Sequence, residues 1–127
     1  MIERTLPAPI DWECSSYWIM QVNEIIWSEV EQQIAKDAFE KAYQRETNAL
    51  ITQVREYASG VTELDQVWRL HDFLSARRHD IDGKYDYDYS ALLFLFARLV
   101  KEEWLKLEDL SGLEQSKLAK INALARM

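Results

Sequence analysis

The sequence predicts an all-α protein, and three observations carry the prediction. Only three glycines and two prolines occur in 127 residues, and both prolines lie among the first nine. After Pro9 nothing therefore forces a break in a helix. Hydrophobic residues make up 48% of the chain and charged residues 29%, and from residue 35 the apolar positions recur at steps of three and four rather than two. A chain of this length supports one domain around one modest core.

Residues 1–27 stand apart as an expected flexible leader. Within it, 1–19 have no helical period and hold Pro7, Pro9, Trp12 and Trp18, and Met20 offers an alternative start. Ser28 and Glu31 then form a capping box that opens the first helix, α1. Ala35, Ala38, Phe39, Ala42, Tyr43, Leu50 and Val54 continue its apolar face as far as Gly60. Thirty residues of helix span ~45 Å, whereas a globule of this size is about 36 Å across. The helix must project as a stalk, and its apolar face calls for a second chain. A homodimer is expected.

Thr62 is the expected cap of α2, which runs to about residue 80, with Gly83 in the following loop. Asp88 is the expected cap of α3 over 89–107. Ser111 and Glu114 form a further capping box that opens α4, which runs to the C-terminus. The domain then divides into a stalk at 28–82, holding α1 and α2, and a head at 83–127, holding α3 and α4.

The densest chemistry lies at 68–86, WRLHDFLSARRHDIDGKYD. At ~100° per residue, Trp68, His71, Asp72, Ser75 and Arg78 share one face of α2 within an arc of roughly 120°. Val67, Leu70, Leu74 and Ile81 occupy the neighbouring face. Trp and Arg are enriched at the centres of protein interfaces, where Lys and Glu are depleted. The stripe is a candidate docking surface. The same stripe can serve a partner, the dimer interface or both. Trp68 reads also as dimer core, His71 equally as a core histidine at the α1–α2 seam, and Arg77 and Arg78 as helix charges paired with Asp72 or Glu63. In α3, residues 91–97 are apolar at every position, so one side chain is expected to face outwards. Phe94 is the candidate, with Lys120 of α4 as a cationic neighbour.

Other chemistries find no carrier. A net charge of −7 disfavours nucleic acid, whose binding depends on neutralising phosphates. The two His-Asp pairs, His71-Asp72 and His79-Asp80, lie on one helix about 80° apart and cannot close around one metal. Counted from Asp80 as a calcium loop, the places that need Gly and Glu hold Tyr85 and Ala91. No nucleophile elbow or phosphate-binding glycine loop is present, so neither an enzyme activity nor a metal or other cofactor is expected. The longest apolar run, 91–97, is far short of the ~20 residues that cross a bilayer. The start lacks the charged and apolar regions of a signal peptide, and the lone Cys14 suits a reducing cytosol. A cytoplasmic protein is expected.

Three segments carry a family resemblance: FEKAYQRE at 39–46, VWRLHDFLSARRHDIDGKYD at 67–86 and KLAKINALAR at 117–126. In one register from about residue 28 to the C-terminus, the chain resembles the cyanobacterial fluorescence recovery proteins, helical partners of the orange carotenoid protein. The resemblance implies a non-enzymatic regulator of photoprotection. It implies binding to the red form of the carotenoid protein, mainly through that protein's C-terminal domain, faster return to the orange form, and release from the phycobilisome. It also implies that Trp68, His71, Asp72 and Arg78 carry the activity, and that the partner holds the carotenoid and brings the chain to the cytoplasmic face of the thylakoid membrane. The competing expectation is a helical dimer of the same family that acts on a different partner.

Overall fold

Ser28 opens α1 as the capping box requires. Its Oγ accepts from the Glu31 N–H at 3.1 Å, and its own N–H donates to Glu31 Oε1 at 3.1 Å. The computed structural model describes residues 26–127, so the expected leader, apart from Ile26 and Trp27, lies outside the described residues. Within them the chain forms α1 (Glu29–Ser59), α2 (Leu64–Lys84), α3 (Leu92–Lys101), a short 3-10 turn (Leu107–Leu110) and α4 (Gln115–Ala125), and no strand. The all-α expectation holds.

At 31 residues, α1 is ~46 Å long and belongs to two environments. Its buried side chains are Glu31, Ala35, Ala38, Ala42 and Glu46, a stripe at steps of three and four that faces one way. The three alanines join Leu92, Phe96, Leu99, Leu110 and Ile121 in the core. Small side chains at these positions leave room for the larger Leu, Phe and Ile side chains of the same core. Burying a Leu or Phe side chain in such a core contributes roughly 1.5–3 kcal/mol. Trp27, the last residue of the expected leader, also lies in this core.

Beyond Glu46 the surroundings of α1 change. Only α2 packs on it, and α2 buries just Ile81 and Lys84, both in its last turn. The outer parts of both helices form a two-helix ribbon, and Ile51, Tyr57, Leu64, Val67 and Trp68 remain exposed on it.

Several boundaries differ from expectation, each for a local reason. Glu63 rather than Thr62 caps α2, because Gln66 Oε1 accepts from the N–H groups of both Thr62 (2.7 Å) and Glu63 (3.0 Å). The helix continues past residue 80 to Lys84, which makes Gly83 helical. Asp88 does not cap α3. Its Oδ1 accepts from the N–H and Oγ of Ser90, an Asx-type turn that delays the helix to Leu92.

α3 also ends early, at Lys101 instead of near 107. Glu103 takes a left-handed φ of 70°; its N–H donates to Val100 O, and the Trp104 N–H donates to Leu99 O. That pair of bonds is a Schellman stop, formed around a glutamate where glycine is usual. Nor does the box at Ser111 and Glu114 form. Ser111 Oγ donates to Glu108 O, and the Glu114 N–H donates to Glu31 Oε2 across the core.

Candidate functional site

The docking stripe follows from where α2 sits. Its inward positions, Leu70, Phe73, Leu74, Arg77, Ile81 and Lys84, turn towards α1 and the head and are half-buried or buried. The opposite face therefore meets solvent. Trp68 is 57% exposed, and His71, Asp72, Ser75 and Arg78 are exposed with it. His71 Nδ1 lies 3.3 Å from Asp72 Oδ1, and Arg78 Nε lies 3.6 Å from Asp82 Oδ2. Neither contact crosses to another helix, and exposed pairs of this kind hold a side chain weakly. His71 is thus not a core histidine. Trp68, His71, Asp72, Ser75 and Arg78 stand together on one water-facing surface with their functional groups accessible.

Phe94 and Lys120 are not brought together. Phe94 is 57% exposed, while Leu92, Leu93, Leu95 and Phe96 around it are buried. It lines a shallow cleft with Ala97, Arg98, Lys101, Glu102, Leu124 and Met127. Lys120 instead edges a separate hollow beside Ser28, Leu93, Glu114 and Lys117. The cation–ring contacts among the described residues are Lys84 over Tyr85 and Lys117 over Trp27. Beside Phe94 the Arg98 guanidinium is paired with Glu102 and Asp80, and Lys101 lines the same cleft.

Sequence reasoning missed the polar groups inside. Arg77 pairs with neither Asp72 nor Glu63; its Nη2 donates to Glu46 Oε2 at 3.1 Å. Glu46, 1% exposed, also accepts from Lys84 Nζ at 2.9 Å and from the Tyr85 hydroxyl at 2.7 Å. Lys84 reaches on to Glu102 at 2.8 Å, and Arg98 bridges Glu102 and Asp80 at 2.8 and 2.9 Å. The Arg98 hydrogen bond holds the Asp80 carboxyl below its usual range against the opposing effect of burial. Burial raises the Glu102 pKa, but Lys84 and Arg98 outweigh it and leave a net lowering. Burial and the Glu46 carboxylate together push the Tyr85 hydroxyl far up, so it remains a donor.

At the other end of the alanine stripe, Glu31 accepts from Lys117 Nζ at 3.0 and 3.2 Å. The signal for both sites was present. Glu31 and Glu46 continue the spacing of Ala35, Ala38 and Ala42, and an acid on a core stripe requires a buried partner.

Between these sites three tyrosines fasten the 85–89 segment to α1. Tyr85 meets Phe39 and Tyr43 edge-on at 5.5 and 5.1 Å, Tyr87 meets Phe39 at 5.0 Å, and Tyr89 lies 5.9 Å from Trp27. Two tight turns shape the segment: the Asp86 N–H donates to Lys84 O and the Asp88 N–H to Asp86 O, each at 3.0 Å, a three-residue turn geometry.

Among the described residues no group of His, Cys, Asp and Glu is placed to hold a metal ion, and no helix is long and apolar enough to cross a membrane.

The comparisons with known proteins converge on one family. The model of the photoprotection regulator fluorescence recovery protein matches residues 27–125. The fluorescence recovery protein of Synechocystis sp. PCC 6803 is 49% identical over 109 residues, which covers 86% of this chain and all of that protein. The solved structure of the Fremyella diplosiphon fluorescence recovery protein is 59% identical with a TM-score of 0.78, and covers 80% of this chain and 100% of that one. The Synechocystis structure gives 50% identity and the same TM-score and coverage. The matched span begins at Trp27, the first core residue described, and contains the stripe, Phe94 and both buried acids. The chain belongs to the fluorescence recovery protein family of photoprotection regulators.

Proposed function

We propose that this chain is a non-enzymatic, homodimeric regulator that binds the red form of the orange carotenoid protein through that protein's C-terminal domain. It speeds return to the orange form and detachment from the phycobilisome, and so restores antenna fluorescence. The observation that carries the reading is the uncovered stripe. Trp68 and Arg78 stand on the solvent face of α2, and Leu64, Val67, Ile51 and Tyr57 are exposed on the same ribbon. Exposed apolar surface of this extent marks an interaction site, and a two-helix ribbon offers too little of its own surface to cover it. One side of the ribbon takes the second protomer; the face with Trp68, His71, Asp72 and Arg78 takes the partner.

Acceleration needs more than grip. A binder that holds the open form and the closing intermediate equally tightly changes no rate. The dimer must hold the closing intermediate of the partner more tightly than the open or closed form, and each tenfold gain needs about 1.4 kcal/mol of such preference. Two separated contact surfaces supply it: the stripe holds one domain of the partner, and the Phe94 cleft, with Arg98 and Lys101 on its rim, receives the other. The carotenoid stays with the partner, so this chain works without a cofactor, in the cytoplasm at the thylakoid face where the phycobilisome sits.

The test is direct. Purified protein is mixed with photoactivated orange carotenoid protein, and the red-to-orange decay is timed by absorbance. Acceleration by less than one dimer per carotenoid protein is the expected result. A decay that stays unchanged at excess dimer would overturn this reading in favour of a different partner.

A further inference from the structure

α2 carries the exposed stripe, yet little apolar packing fixes its direction. Its buried residues are confined to the last turn, Ile81 and Lys84. What fills that junction is charge. Glu46 comes from α1; Arg77, Asp80 and Lys84 come from α2; Arg98 and Glu102 come from α3. Three acids meet three bases, so the cluster is neutral as a whole and no member lacks an opposite charge.

The connections are continuous. Arg77 and Lys84 both hold Glu46, Lys84 also holds Glu102, and Arg98 joins Glu102 to Asp80, which returns the path to α2. The Tyr85 hydroxyl donates to Glu46 as well and ties in the start of the 85–89 segment. Each bond lies between 2.7 and 3.1 Å. Apolar contact is non-directional and tolerates sliding. Charge-assisted hydrogen bonds impose an angle as well as a distance.

We propose that this six-residue cluster, centred on Glu46, is a conformational clasp: it sets the angle at which α2 leaves the head, and its opening frees the end of α2 and the 85–89 segment while the core of the head stays folded. Glu46 is then a positioning residue. It touches no partner itself but fixes where the Trp68 stripe stands relative to the Phe94 cleft. The clasp concerns the chain's own helices and does not depend on which partner the stripe binds.

The test is amide hydrogen exchange across the full chain, with Glu46→Gln, which keeps the shape and removes the charge. Exchange over residues 77–89 should rise at least tenfold, while α3 and α4 stay within about twofold of wild type. Equal acceleration in every helix would show that Glu46 serves only global stability and would overturn the proposal, as would no change at 77–89. If Glu46→Gln does not fold, Arg98→Gln opens the same path from its exposed rim, and the same local pattern is expected.

A double variant separates direction from burial. Glu46→Gln with Lys84→Met removes both buried charges and their desolvation cost. Thermal stability should recover while exchange at 77–89 remains fast. Return of full protection at 77–89 in the double variant would show that packing, and not the charged geometry, orients α2, and the clasp would be rejected.

Discussion

Trp68 is a large apolar ring 57% exposed on the water-facing side of α2, so replacing it tests the surface rather than the core. Trp68→Leu retains helix propensity and should leave the melting curve unchanged, yet weaken partner binding by about 2 kcal/mol, as truncated hot spots do. Phe94→Asp should behave differently. Its ring is equally exposed, so the head stays folded and affinity for the partner's isolated C-terminal domain persists, while acceleration of the red-to-orange decay falls. Affinity titrations paired with decay rates distinguish the two; a proportional fall in both for Phe94→Asp would reduce the cleft to added grip.

A single carboxyl governs a further measurable behaviour. Asp109 accepts from Arg45 Nη1 at 2.8 Å and from the Lys106 N–H at 2.9 Å, and these bonds, the Arg45 one foremost, draw its pKa from 3.8 to about 2. The folded value lies below the unfolded one. The stabilisation is therefore complete above about pH 4 and is lost as the pH falls through about 2. Its size is about 2 kcal/mol. Urea unfolding of wild type and Asp109→Asn should converge across that acid window and differ above it; a constant gap down to pH 2 would show that Asp109 has no role in acid sensitivity.

Among the elements, the two left-handed residues decide where helices stop. Glu103 pays a steric penalty at φ 70° that glycine would not, so Glu103→Gly should raise stability by about 0.5–1 kcal/mol. Gly112 is the converse. Its φ is 105°, and an added Cβ would come within 2.5 Å of Ile34 Cδ1 on α1. Gly112→Ala should destabilise by at least about 1 kcal/mol. Thermal melts of both variants check the opposite signs.

These stops explain what the sequence disclosed and what it hid. The Ser28–Glu31 box was legible because both partners lie within one turn and nothing distant competes for them. The box at Ser111 and Glu114 had the same letters, but the buried Glu31 took the Glu114 N–H from 83 residues away. The end of α3 was hidden because its stop uses glutamate, and α2 ran on because Ile81 and Lys84 anchor in the head. The stripe was legible from periodicity alone. The clasp was not, since Glu46 meets Arg77 and Lys84 across 31 and 38 residues, and only packing reveals which acid finds which base.

At the scale of the whole molecule, the proposed dimer is tested by mass. Light scattering at micromolar concentration should return about twice 15.0 kDa; a strict monomer at high concentration would remove the case for a stalk. Val67→Glu places a charge in the middle of the apolar ribbon and should shift the mass towards the monomer, while α3 and α4 keep their fold.

The unbroken run of α1 from the alanine stripe to Ser59 has a mechanical consequence. One stiff rod enters both halves of the molecule, so any tilt at its embedded end is magnified at its tip. From Ala42 to Ser59 the arm is ~25 Å, and a rotation of about 10° sweeps the tip through about 4 Å. That displacement is comparable to the diameter of a methyl group and large enough to break side-chain interdigitation along the outer part of α1. Load applied to the embedded end of α1 therefore reaches its far end as torque.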